Sequence, residues 1–294
     1  MMRTGQRWSL ILAVVVLLTL PCGAGKDEGS PPYRWDGVER VVALGDVHGA
    51  LDALVSVLQS TGLADPALHW SGGRTHLVSL GDLTDRGPDS REVMDLLIRL
   101  QPEAEVAGGR VHVLLSNHEV MGAAGDLRYT TREDFATWKD LEDAGMRDRA
   151  WSRFRTRAEG AALKQRGAKK LFEELFPPGF FGRTAAFSSS GRYGRWIRDL
   201  PAVIVINRTA FVHAGISAES AKLTGEELNR LHSDALGALM EDRESLIRNG
   251  TLAPETAFAF QTSALFEKLE ESVPEIRRIG FRYLELLNSI LFRP

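Results

Sequence analysis

Apolar residues recur along this chain in short runs, and a small polar cluster closes each run. Val38 to Leu44, with Val41, Val42, Ala43 and Leu44 buried, predicts a strand. Leu51, Leu54, Val55 and Leu58 follow at i, i+3, i+4 and i+7, the stripe of an amphipathic helix. Thr75 to Leu80 and Arg110 to Leu115 predict two more strands, with a helix over Glu92 to Leu100 between them. Strand, loop and helix in repetition is an α/β pattern, and it sets the polar clusters at the C-terminal ends of the strands.

After Glu119 the pattern turns helical, an insertion over about 121–176. Thr130-x-x-Glu133 reads as a capping box opening a helix with Phe135, Trp138 and Leu141 on one side. Pro177-Pro178-Gly179 breaks this run. Ala202 to Ile206 and Thr209 to His213 predict a hairpin around Asn207-Arg208, and from Ser217 onward the pattern is helical almost to the end.

The first residues follow another logic. Arg3 and Arg7 precede an apolar run from Leu10 to Leu20, then Pro21, Cys22, Gly23 and Ala24, which describes a secretory signal over 1–24. The run is short of the roughly 20 residues that span a bilayer, so no transmembrane helix is expected in an exported mature chain. Cys22, the single cysteine, excludes an internal disulfide; its place resembles a lipoprotein signal, but Pro21 fits that poorly, and removal with the leader is preferred. Residues 25–37 read as a linker by composition, and 38–294 as the domain. A net charge of -3 gives no reason to expect a nucleic-acid partner. The basic run over 147–170 is read as a solvated helix face rather than an anion-binding cap.

Four clusters carry the chemistry: Gly45-Asp46-Val47-His48-Gly49, Gly81-Asp82-Leu83-Thr84-Asp85-Arg86-Gly87, Ser116-Asn117-His118-Glu119 and Val212-His213-Ala214-Gly215. Carboxylates, a carboxamide and imidazoles at successive strand ends can build a two-metal hydrolytic centre. Asp46 and His48 can face one cation, Asp82 can bridge two, and Asn117 and His213 can complete the second. His118 is the candidate acid for a leaving oxygen, Asp85 its orienting partner, and Arg86 the clamp for a phosphoryl group. His69, His76 and His112 are given no role.

These clusters resemble the metallophosphoesterases of the phosphoprotein phosphatase family, whose motifs are GDxHG, GDxxDRG, GNHE and HGG. Glu119-Val120-Met121, Gly125 to Tyr129, Pro177 to Phe181 and Tyr193 to Pro201 make the chain most similar to the bacterial Shewanella-like phosphatases. The resemblance covers roughly 38 to 217. It implies a β-sandwich flanked by helices, with two divalent metals (Mn, Fe or Zn) at one edge. Asp46, His48 and Asp82 would hold the first, and Asp82, Asn117 and His213 the second. It further implies a phosphorylated protein or small phosphate ester as substrate. Ser116 and Ala214 stand where the family has glycine, and both are expected to be tolerated. A later family arginine and a histidine completing the second metal have no counterpart here, since His232 lies in a predicted helix. The chain therefore reads as incomplete at its C-terminus, with a weaker second metal site. Two other readings stay open: a dinucleoside polyphosphate or phosphodiester hydrolase, and a non-catalytic remnant that binds phosphorylated ligands.

Overall fold

Two small sheets face each other in the computed structural model, which describes residues 32–156, 165–253 and 282–289. The expected leader, its cleavage site and Cys22 lie outside the described residues. Strand β1 (Arg34–Trp35) falls in the stretch whose composition reads as linker. It pairs in parallel with β5 (Val203–Ile206), and the sheet closes with β6 (Thr209–Val212) antiparallel to β5, the predicted hairpin. The second sheet is parallel throughout, in the order β2 (Val41–Leu44), β3 (His76–Ser79), β4 (Arg110–Val113). Val78, Leu114, Ile204, Ile206 and Phe211 form the dry layer between the sheets.

Helices α1 (Leu51–Ser60) and α2 (Ser90–Val106) cross over between the parallel strands, as parallel pairing requires. Leu54 and Leu58 of α1 and Val93, Leu97 and Leu100 of α2 share one core with Val111 and Val113 of β4. Next come α3 (Asn117–Ala124), α4 (Arg132–Ala136), α5 (Ala144–Phe154), α6 (Gln165–Leu175), α7 (Phe180–Ala186) and α8 (Arg192–Arg198). The long α9 (Gly225–Arg248) opens on a capping box between Thr224 and Glu227 and packs on α3 and β5.

Two expectations for the insertion are corrected. The cap of α4 is Thr131, whose side chain accepts the Asp134 N–H, and not Thr130, whose hydroxyl turns inward to Asp85. Nor is there one helix carrying Phe135, Trp138 and Leu141 on a single side. Helix α4 ends at Ala136 and a 3-10 turn follows over Lys139–Leu141. Phe135 then joins an aromatic cluster, Trp138 enters the main core, and Leu141 is left exposed. That second cluster gathers Phe135, Phe154, Phe172, Phe180 and Phe181. The basic run is mixed in character. Arg149 and Lys170 are exposed, but Arg147 ties Glu142 to the carbonyls of Phe176 and Pro177. Among the described residues, no helix is long and apolar enough to cross a membrane.

Candidate metal and phosphoryl site

Every candidate site residue lies in a loop or first helical turn that follows the C-terminal end of a strand. Asp46 and His48 follow β2, Asp82, Asp85 and Arg86 follow β3, Asn117 and His118 follow β4, and His213 follows β6. The first two loops interlock: the Val47 and His48 N–H groups donate to the Asp82 carbonyl at 3.0 and 2.8 Å, and Gly49 N–H to that of Leu83 at 2.8 Å. This close approach explains Gly87, where an added Cβ would lie 2.2 Å from the His48 carbonyl oxygen. His48, Asp82, Asp85 and Arg86 all take positive φ, from 49° to 68°. Non-glycine residues held there cost energy, and such strain collects at functional sites.

Asp82 lies between two imidazoles. Its Oδ2 is 3.5 Å from His48 Nε2 and its Oδ1 3.5 Å from His213 Nε2. Asp46, half exposed, approaches His48 Nε2 at 3.7 Å. Both rings are anchored on their far side, His48 Nδ1–H donating to the Thr84 carbonyl and His213 Nδ1–H to that of Leu80, each at 2.9 Å. This fixes the tautomer that turns a lone pair inward at each Nε2. Among the described residues, His48 Nε2 is buried without a hydrogen-bond partner. His213 Nε2 meets Asn117 Oδ1 at 2.9 Å, acceptor against acceptor when Nδ1 carries the ring proton. Burial also holds the His48 pKa below its ordinary value, keeping a neutral ring. Inward lone pairs with nothing to accept from are what a bound cation satisfies. Among the described residues, two three-residue groups have ligand atoms close enough to share an ion: His48, Asp82 and His118, and Asp46, Asp82 and His213. Oxygen and imidazole donors without thiolate suit Mn, Fe or Zn.

Beside this cluster His118 Nδ1 donates to Asp85 Oδ2 at 2.8 Å, and its Nε2 faces Arg86 Nη2 at 3.4 Å. Burial works against a charged His118 ring. The Asp85 hydrogen bond and the carboxylates of Asp82 and Glu119 outweigh it and raise its pKa. Burial alone would raise Asp85; the bond from His118 and the Arg183 guanidinium bring it below its ordinary value. The exposed Tyr129 ring lies 5.4 Å from His118, with the Arg86 guanidinium 5.9 Å from its centroid. The arrangement can grip an anionic oxygen at Arg86 while presenting a proton from His118.

Sequence reasoning assigned no role to several residues that hold this site. Glu119 is fully buried and accepts the N–H groups of Asp82, Leu83 and Thr84. Ser116, where glycine was expected, accepts the Asp82 N–H at 2.9 Å and donates to Glu119. Glu119 stood within a motif and could have been found there. Thr130 gave the signal of a helix cap rather than of a partner for Asp85, and Arg183 gave no local signal. His232 is a core residue, its Nδ1 donating to the Leu228 carbonyl and its Nε2 meeting Ser289 Oγ.

Residues 39–239 match the family described as calcineurin-like phosphoesterase. The chain belongs to that family. Shewanella-like protein phosphatase 2 of Arabidopsis thaliana is 32% identical to this phosphoesterase over 206 residues, covering 67% of this chain and 51% of its own. Shewanella-like protein phosphatase 1 of Plasmodium berghei is 24% identical over 196 residues, 67% of this chain and 44% of its own. A cold-active protein-tyrosine phosphatase of a psychrophilic Shewanella species shares the fold at a TM-score of 0.51 with 25% identity, over 85% of this phosphoesterase and 66% of that chain. The chain spans about half the length of these two curated relatives.

Proposed function

We propose that this chain hydrolyses phosphate monoesters, with phosphorylated protein as its substrate class, in a site that holds two divalent metal ions. Asp46, His48 and Asp82 would hold one ion, and Asp82, Asn117 and His213 the other. When bound, such ions polarise a phosphoryl oxygen and acidify water for attack on phosphorus. Arg86 grips the phosphoryl oxygens, and the neighbouring His118 Nε2 gives its proton to the leaving oxygen. Asp85 holds Nδ1, fixing the ring and stabilising its charged form. The observation that carries the reading is Asp82, each of whose oxygens addresses a different inward-facing imidazole. The relatives, named as protein phosphatases and a protein-tyrosine phosphatase, support a phosphoprotein substrate, phosphotyrosine among them. The leader read at 1–24 supports export, which the N-terminus of the mature protein in the exported fraction would test.

Hydrolysis of p-nitrophenyl phosphate with added Mn²⁺, beside Asp82→Asn, tests the proposal. The variant is expected to lose about 100-fold or more in turnover and to hold less Mn²⁺. Full activity in the variant, or none in folded wild type, would overturn it.

A further inference from the structure

Arg183 sits on α7, 98 residues away in sequence from Asp85, with no part of its side chain exposed. Its Nη2 donates to Asp85 Oδ1 and its Nε to Asp134 Oδ2, both at 3.3 Å. Its guanidinium carbon also lies 4.4 Å from the Phe187 ring centroid, a cation–π contact. Asp134 lies on α4 and takes the Ser90 N–H, while Ser90 Oγ accepts the Asp85 N–H. Asp85 therefore stands in a closed ring of contacts, its Oδ1 held by Arg183 and Thr130 and its Oδ2 by His118.

We infer that Arg183 is a positioning residue for phosphate-ester hydrolysis, aligning Asp85 and, through it, the His118 ring that protonates the leaving oxygen. The inference rests on the proposed role of His118. A guanidinium between two buried carboxylates satisfies charges that neither could carry alone in the core. Its rigid fork also fixes where Asp85 Oδ2 points, which an ammonium on a flexible stem does less well. The helix just after the insertion thus supplies Arg183, and the insertion supplies Asp134, which holds Arg183 in turn. A bolt that merely joined the insertion to the sheet would have no reason to end on the carboxylate that holds His118.

The test compares Arg183→Met, Arg183→Lys, Asp85→Asn and the Asp85→Asn/Arg183→Met pair on two esters, with unfolding temperature and Mn²⁺ content measured beside turnover. Phenyl phosphate releases a more basic oxygen than p-nitrophenyl phosphate and so depends more on a proton from His118. Arg183→Met should lower kcat on phenyl phosphate by about tenfold or more, with a smaller loss on p-nitrophenyl phosphate and KM little changed. Arg183→Lys should recover part of the loss, and it carries the same test should the methionine variant not fold. Adding Arg183→Met to Asp85→Asn should cost little more, because the route through Asp85 is already cut. Mn²⁺ content should not move. Equal losses on both esters, or additive losses in the pair, would overturn the inference. Asp85→Asn with wild-type rates would instead sink the role given to His118, a separable failure.

Discussion

Glu119 shows what a single buried side chain does for this site. It is closed off from solvent, and burial together with the nearby Asp82 charge raises its pKa. It remains there because the loop after β3 needs an acceptor: three successive N–H groups, of Asp82, Leu83 and Thr84, end on its two oxygens. Those bonds hold Asp82 at φ 51° and Thr84 where its carbonyl takes the His48 ring proton. Glu119→Ala would strand the Leu83 and Thr84 donors and leave the Asp82 N–H to Ser116 alone. It should cost about 2–4 kcal/mol of stability and about 10–100-fold in Mn²⁺ affinity. Thermal unfolding and calorimetric Mn²⁺ titration check the two. Glu119→Gln, which keeps one acceptor oxygen and the volume, should fall between. The candidate ligands and acid stood out in the sequence because such side chains are chemically distinctive and follow strand ends. Glu119 lay inside a legible motif, yet its role depends on the tertiary course of another loop.

At the level of elements, the strands were legible and the insertion was not. Short apolar runs gave all three parallel strands and the β5–β6 hairpin within a residue or three. The two-residue β1 was missed because Arg34 and Trp35 form a strand only by pairing with β5, remote in sequence. In the insertion, Thr130 and Thr131 are equivalent as sequence signals, and only packing sends one to cap α4 and the other to Asp85. Gly179 governs how this region closes. It precedes α7 at φ 93°, and an added Cβ would sit 1.7 Å from the Phe135 carbonyl oxygen. Gly179→Ala should therefore cost about 3 kcal/mol or more and pull α7 away from α4. Limited proteolysis should then cut first within 121–176. Because α7 carries Arg183, turnover should fall even at temperatures where the sheets remain folded.

Across the whole molecule, the two sheets meet through an unusual pair. His76 on β3 and His112 on β4 are both buried, and their rings share a hydrogen bond of 3.1 Å. Trp35 of the opposite sheet lies 4.3 Å from His112 and 6.2 Å from His76, with the Arg110 guanidinium 5.6 Å from its ring. No role for these histidines was legible, since each alone looks like a satisfied core residue. Burial, then the neighbouring His76 and Arg110, push His112 down to about 3, and burial with Arg110 lowers His76. A histidine depressed in the folded state binds fewer protons there than in the unfolded chain, whose pKa is near 6.5. The pair's contribution is thus fully present above pH about 6.5 and is lost as pH falls toward 3, by at most roughly 1.4 kcal/mol per pH unit for each histidine. Charging either ring would open the contact that seats β1 on the parallel sheet. His112→Leu removes the more strongly depressed group and leaves the carboxylates untouched. Urea unfolding at pH 7.5, 6.5 and 5.5 should show the variant losing less stability over that interval than wild type. Parallel losses in the two proteins would place the acid sensitivity elsewhere.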